Sequence, residues 1–153
     1  MKIARIVIVT GLITLSLTPA AAAQTDDEAS VLVAIKTMFD GLAARDTALM
    51  SSVLDPTTRL VQTSTRDGEP SYRSVGMDRF LGGIGGDGPS IREDFFNPQI
   101  VIHDNLATVW VDYTFYIDGE VSHCGEDTFQ LARRATGWII VAIADTQRRE
   151  GCT

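Results

Sequence analysis

Leu106–Ile117 (LATVWVDYTFYI), the pair Asp118-Gly119, and Val121–Arg134 (VSHCGEDTFQLARR) together decide the fold. The first run is dense in β-branched and aromatic residues, which favour a pleated, half-buried surface. Asp-Gly between two such runs is a two-residue hairpin signal, because both positions must accept positive φ. A short turn around Gly137 then leads into Trp138–Gln147 (WIIVAIADTQ), so the last third of the chain reads as a three-stranded antiparallel meander. If the hairpin is regular, Ile117 pairs with Glu120, Thr114 with His123, Trp110 with Asp127 and Thr108 with Phe129. Alternation then gathers Trp110, Asp112, Thr114, Tyr116, His123, Asp127 and Phe129 on one face. This mixed aromatic and titratable face is the expected pocket wall. The opposite face carries Val109, Val111, Tyr113 and Phe115 and is the more apolar of the two.

Upstream, Val31, Ile35, Met38, Phe39 and Leu42 recur at helical spacing as far as Ala44, after a capping-box spacing at Thr25-Asp26-Asp27-Glu28. Asp46 is placed to cap a short helix over Thr47–Leu54, which Asp55-Pro56 ends. Arg59–Thr65, the Asp67-Gly68 turn and Ser71–Ser74 read as a second hairpin. Ser74 is placed to cap a third helix containing Met77, Phe80, Leu81 and Ile84. Gly82 to Pro89 is glycine-rich but lacks the Lys-Ser or Lys-Thr of a phosphate loop, so it reads as a helix end running into a loop. Ile91–His103 is one more strand, with Pro98 demanding a bulge or an edge. Helices first and a meander last predict an α+β fold.

Residues 1–23 have the features of a secretory signal peptide. Lys2 and Arg5 open it, Ile6–Leu17 is apolar, and Pro19 with Ala20 to Ala23 forms an A-x-A-like cleavage site before Gln24. The apolar run is shorter than the roughly 20 residues needed to span a bilayer. Periplasmic or secreted location is therefore expected, with residues 24–153 as a single domain and no membrane association after cleavage. Loss of Lys2 and Arg5 leaves 11 basic residues against 20 acids, about −9, compared with −7 for the whole chain. Such a charge opposes nucleic acid and anionic lipid as partners.

The candidate chemistry is sparse. Two cysteines, Cys124 and Cys152, are the minimum for one disulfide, which an oxidising compartment favours over a reactive thiol. His103 and His123 are the only histidines, and neither belongs to a metal-ligand spacing, so no metal or cofactor is expected. Asp112, Asp127 and Asp145 lie inside strands, where Asp is depleted. An acid among aromatic rings can act as a general base or acid, with His123 as a further candidate. The competing reading pairs these acids with Arg133, Arg148 or Arg149.

The run His123-Cys124-Gly125-Glu126-Asp127-Thr128-Phe129, with Gly137-Trp138, Ile143-Ala144-Asp145-Thr146 and Glu150-Gly151-Cys152, resembles the nuclear transport factor 2-like superfamily. The likeness is to a bacterial lumazine-binding or SnoaL-like branch. It implies a cone in which the N-terminal helices pack on a curved antiparallel sheet and enclose a pocket. It also implies a small organic ligand, held or transformed without a cofactor, and a homodimer. The expected function is an exported small-molecule-binding domain. Isomerase, dehydratase or cyclase chemistry, and a role as an accessory or dimerisation subunit, are the alternatives. The expected pocket residues are Trp110, Tyr116, His123, Asp127, Phe129 and Asp145, with Asp127, His123 and Asp112 as proton-transfer candidates. Mass spectrometry of the exported protein is expected to find a chain beginning near Gln24; a chain retaining residues 1–23 would overturn the export reading.

Overall fold

The computed structural model describes residues 19–152, so most of the expected export signal lies outside the described residues. Three helices precede or interrupt six strands: α1 (Pro19–Ala44), α2 (Thr47–Val53), β1 (Arg59–Arg66), β2 (Glu69–Gly76), α3 (Met77–Ile84), β3 (Ile91–His103), β4 (Leu106–Ile117), β5 (Glu120–Arg134) and β6 (Gly137–Gln147). The strands form one sheet in the order β2-β1-β6-β5-β4-β3. Every neighbouring pair is antiparallel except β1 and β6, which run parallel. The sheet is therefore mixed rather than wholly antiparallel as the sequence led us to expect.

Helix α1 starts at Pro19, upstream of the expected cap at Thr25, because Ala20 to Ala23 are strong helix formers that extend it. Its stripe of Val31, Ile35, Met38, Phe39 and Leu42 is buried against Val109, Val111, Phe129, Leu131, Ile140 and Ile143 of the sheet. Phe39 stacks on Phe95 at 5.3 Å and meets Phe129 edge-on at 5.9 Å, fixing α1 over the centre of the sheet. Asp46 caps α2 as expected, accepting a 2.9 Å hydrogen bond from the Leu49 amide. The cap of α3 is Gly76 and not Ser74, since β2 keeps pairing with β1 up to Gly76.

Asp118-Gly119 closes the central hairpin with φ of 52° and 85°, and Ile117 pairs with Glu120. Regularity ends two residues later. Tyr116 pairs with Val121, but Phe115 pairs with His123, so Ser122 is an extra residue on β5. Beyond this bulge Thr114 faces Cys124, Trp110 faces Thr128 and Val109 faces Phe129. Every expected pair is displaced by one, and each displaced side chain changes face. Similar irregularities follow Phe96 on β3, where Pro98 demanded one, and fall at Val141 on β6.

Cys124 and Cys152 form the expected disulfide, with Cα atoms 5.6 Å apart. Cys124 also exchanges both backbone hydrogen bonds with Arg148, at 3.0 and 2.9 Å, so the segment after β6 is tied to β5. At Gly125 the two chains come closest, and a Cβ there would collide with the backbone carbonyl of Thr146. Gly125→Ala is therefore expected to lower stability by ~2 kcal/mol or more in chemical denaturation. Gly82→Ala, on α3 with open space around it, should be neutral or mildly stabilising.

Candidate functional site

The bulge at Ser122 decides which groups line the inner face of the sheet. Across β4 and β5 the inward pairs are Phe115 with His123, Tyr113 with Gly125, Val111 with Asp127, and Val109 with Phe129. On β3, Glu93 lies beside Phe115 and Phe95 beside Tyr113. On β6, Asp145 lies beside Asp127, and Gln62 of β1 is its neighbour on the other side. Glu93, Asp127 and Asp145 thus share one face with an aromatic group of Phe95, Tyr113 and Phe115.

This is a hostile place for negative charge. Asp127 is only 4 % exposed. Burial and the nearby Asp145 carboxylate push its pKa up to about 7, while a hydrogen bond with Glu93 restrains the rise. Glu93 is pushed well above the usual carboxylate range by burial, by the charge of Asp127 and by that same hydrogen bond. The two titrate as a coupled pair, both held above the ordinary carboxylate range by burial. Asp145 rises to about 6 through burial, with Gln62, Arg73 and the Thr63 amide pulling it back. Its Oδ1 is buried without a hydrogen-bond partner among the described residues. None of the three enters an ion pair with Arg or Lys among the described residues. The expected pairing with Arg133, Arg148 or Arg149 is therefore replaced: Arg133 holds Asp27 and Arg148 holds Glu126.

Tyr113 is buried beside the acids and donates a 2.8 Å hydrogen bond to the Thr146 carbonyl. Burial, then Asp145, Glu93 and Asp127, raise its pKa, so it stays a phenol. His123 stacks on Phe115 at 4.8 Å and meets Tyr113 edge-on at 5.8 Å. Burial lowers its pKa, with Arg149 adding to the effect, so at neutral pH it is an uncharged imidazole. No group of three or more His, Cys, Asp or Glu side chains suited to a metal ion occurs among the described residues.

Asp127, His123, Phe129 and Asp145 therefore gather on the inner face, Phe129 as part of the packed core. Trp110, Asp112 and Tyr116 do not join them. Trp110 is 45 % exposed on the outer face. Asp112 accepts a 2.8 Å hydrogen bond from Asn97 there, and Tyr116 lies under the Arg92 guanidinium at 4.1 Å. The extra residue on β5 is the reason, because it turns Asp127 away from Trp110 and toward Val111. Glu93 was missed, although its spacing with buried Ile91 and half-buried Phe95 marks it as an acid on the inward side of β3.

No protein-family model matches the chain, and no curated protein matches it. Solved structures do. An NTF2-like protein with a cystatin-like fold from Novosphingobium aromaticivorans superposes with a TM-score of 0.68 at 12% identity, covering 94% of this chain and 95% of its own. A protein of unknown function from Mycobacterium tuberculosis gives 0.69 at 10% identity, covering 89% and 79%. A candidate scytalone dehydratase from Novosphingobium aromaticivorans gives 0.66 at 10% identity, covering 84% and 89%. The fold is nuclear transport factor 2-like. At these identities the likeness carries the architecture alone and singles out no branch. In this nuclear transport factor 2-like cone the acids lie on the face that the helices cover.

An acid with a raised folded-state pKa holds its proton more tightly in the folded chain than in the unfolded one. The stability this supplies is complete below the ordinary carboxylate range and is lost as pH rises through about 6 and 7. Chemical denaturation is expected to show that loss. Asp127→Asn, which cannot ionise, should flatten the slope and leave the variant roughly 1–3 kcal/mol more stable than the parent above the transition.

Proposed function

We propose that the chain is a cofactor-independent acid–base enzyme of the isomerase or dehydratase type, acting on a small carbonyl-bearing molecule. The observation that carries this reading is geometric: Glu93, Asp127 and Asp145 share the inner face with Phe95, Tyr113 and Phe115, and burial raises the pKa of all three acids. A buried acid cluster without a compensating cation lowers stability, so packing alone gives no reason to assemble one. Proton transfer does. Asp127 as carboxylate removes a proton from a carbon next to the carbonyl. Glu93 delivers its own proton to the carbonyl oxygen, or to a departing hydroxyl that leaves as water while the carbon–carbon double bond forms. In an isomerisation, Asp127 returns the same proton to a different carbon. Tyr113, Phe95 and Phe115 supply the low-polarity surroundings that keep Asp127 basic.

Simple ligand binding, the expected leading function, is the weaker reading, because it gives no use for acids with displaced pKa values. Action outside the cytoplasm is part of the proposal, and the Cys124–Cys152 disulfide supports it, since such bonds persist in oxidising compartments.

Deuterium incorporation next to the carbonyl of a panel of cyclic ketones, followed by NMR in heavy water, tests the chemistry. The wild-type chain should accelerate exchange with a rate that rises through the Asp127 transition near pH 7. Asp127→Asn should slow it by about 10²-fold or more, and Glu93→Gln should slow it while leaving the chain folded. Exchange that persists undiminished in Asp127→Asn sinks the assignment.

A further inference from the structure

A sizeable hollow on the described surface does not lie over the acids. It is a groove of about 1080 Å³ at the end of the sheet, where β1, β2, the start of β5 and the segment after β6 meet. None of Glu93, Asp127 and Asp145 lines it. Its walls carry Arg66, Arg148 and Arg149 against Glu126 and Glu150, a local excess of positive charge in a chain of net charge −7. Glu126 is already engaged, accepting hydrogen bonds of 2.6 Å from Thr146 and 2.8 Å from Arg148. Arg66 and Arg149 enter no ion pair among the described residues. Two unpaired guanidinium groups beside a hollow are donors without an acceptor, and their fork geometry suits a planar oxyanion.

Two flat rings share the groove. Tyr72 is 78 % exposed within it, and His123 is held there by its stack on Phe115. The segment bearing Arg149 is fixed at both ends, by the backbone pairing of Arg148 with Cys124 and by the disulfide to Cys152. The backbone that carries Arg149 is thus in place before any ligand arrives, which lessens the ordering that binding requires. We propose that this groove binds a small, flat organic anion, with its carboxylate on Arg66 and Arg149 and its ring against Tyr72 and His123. The site is distinct from the acid pair, so the two stand or fall separately.

The test is a titration of the oxidised chain, by calorimetry and by amide NMR, with benzoate, its neutral counterpart benzamide, and inorganic phosphate. Benzoate should bind and move the amide signals of Thr65, Tyr72 and Arg149, while benzamide and phosphate bind far more weakly. Arg149→Gln and Arg66→Gln should each weaken benzoate by about tenfold, with ketone exchange at the acid pair unchanged. Several results overturn the proposal: no binding by benzoate, benzamide or phosphate binding as tightly as benzoate, or unchanged benzoate affinity in the double arginine variant.

Discussion

A strand turns alternate side chains to opposite faces, so one inserted residue exchanges the two sets for the rest of the strand. This sheet uses that device on three strands. Ser122 is the extra residue on β5, the Asn97-Pro98 region supplies one on β3, and Val141 supplies one on β6. On β3 and β6 the irregularity keeps apolar residues facing the helices on both of its sides. On β3, Phe95 and Ile100 both pack against the core, five positions apart, an odd interval that only a phase change allows. On β6, Ile140 and Ile143 do the same. The bulge at Ser122 puts Phe129 and Leu131 in the core, and it carries Asp127 and His123 inward with them. The acids are therefore held inside by the packing of Phe129 and Leu131, which the sheet cannot give up without losing its contact with α1.

That anchoring explains how a group of acids with unfavourable energetics survives. Moving Asp127 outward would expose Phe129, and fully burying a side chain of that size is worth about 1.5–3 kcal/mol. Keeping Asp127 inward costs an amount of the same order when it ionises. The fold tolerates the acid because the two quantities are comparable. The aromatic rings that raise the pKa values are the same ones that join α1 to the sheet, Phe95 through its stack on Phe39 being the clearest case. Packing and acidity are consequently set by one group of side chains.

Most of the architecture was legible in the sequence because its signals are local. The helical stripe from Val31 to Leu42, the cap at Asp46, and the turns at Asp67-Gly68 and Asp118-Gly119 each depend on a few neighbouring residues. The bulge on β3 was legible too, since Pro98 cannot continue a regular ladder. Ser122 gave no such notice: neither Val121 nor Ser122 constrains φ, and a one-residue slip leaves the alternation on either side intact. From that one slip came the misplacement of Trp110, Asp112 and Tyr116. The parallel pairing of β1 with β6 was equally hidden, because it joins residues about 80 apart with no shared turn. Glu93 was readable in principle from Ile91-x-Glu93-x-Phe95, but only against a sheet whose inner face was already known.

Thr146 shows how closely the two faces are joined. Its side chain lies on the outer side, accepting a 3.0 Å hydrogen bond from the Glu126 amide and donating to the Glu126 carboxylate. Its carbonyl points the other way, through the space that Gly125 leaves by lacking a Cβ, and accepts the Tyr113 hydroxyl. One residue thus braces the arginine-lined groove on one side and the phenol beside the acids on the other. The disulfide closes the same joint two residues beyond Glu150. A shift of Thr146 large enough to loosen Glu126 would also withdraw the acceptor from Tyr113, leaving a buried hydroxyl unpaired at about 1–3 kcal/mol. The joint therefore resists displacement from either side, and the Tyr113 phenol is held by a residue whose side chain braces the other face of the sheet.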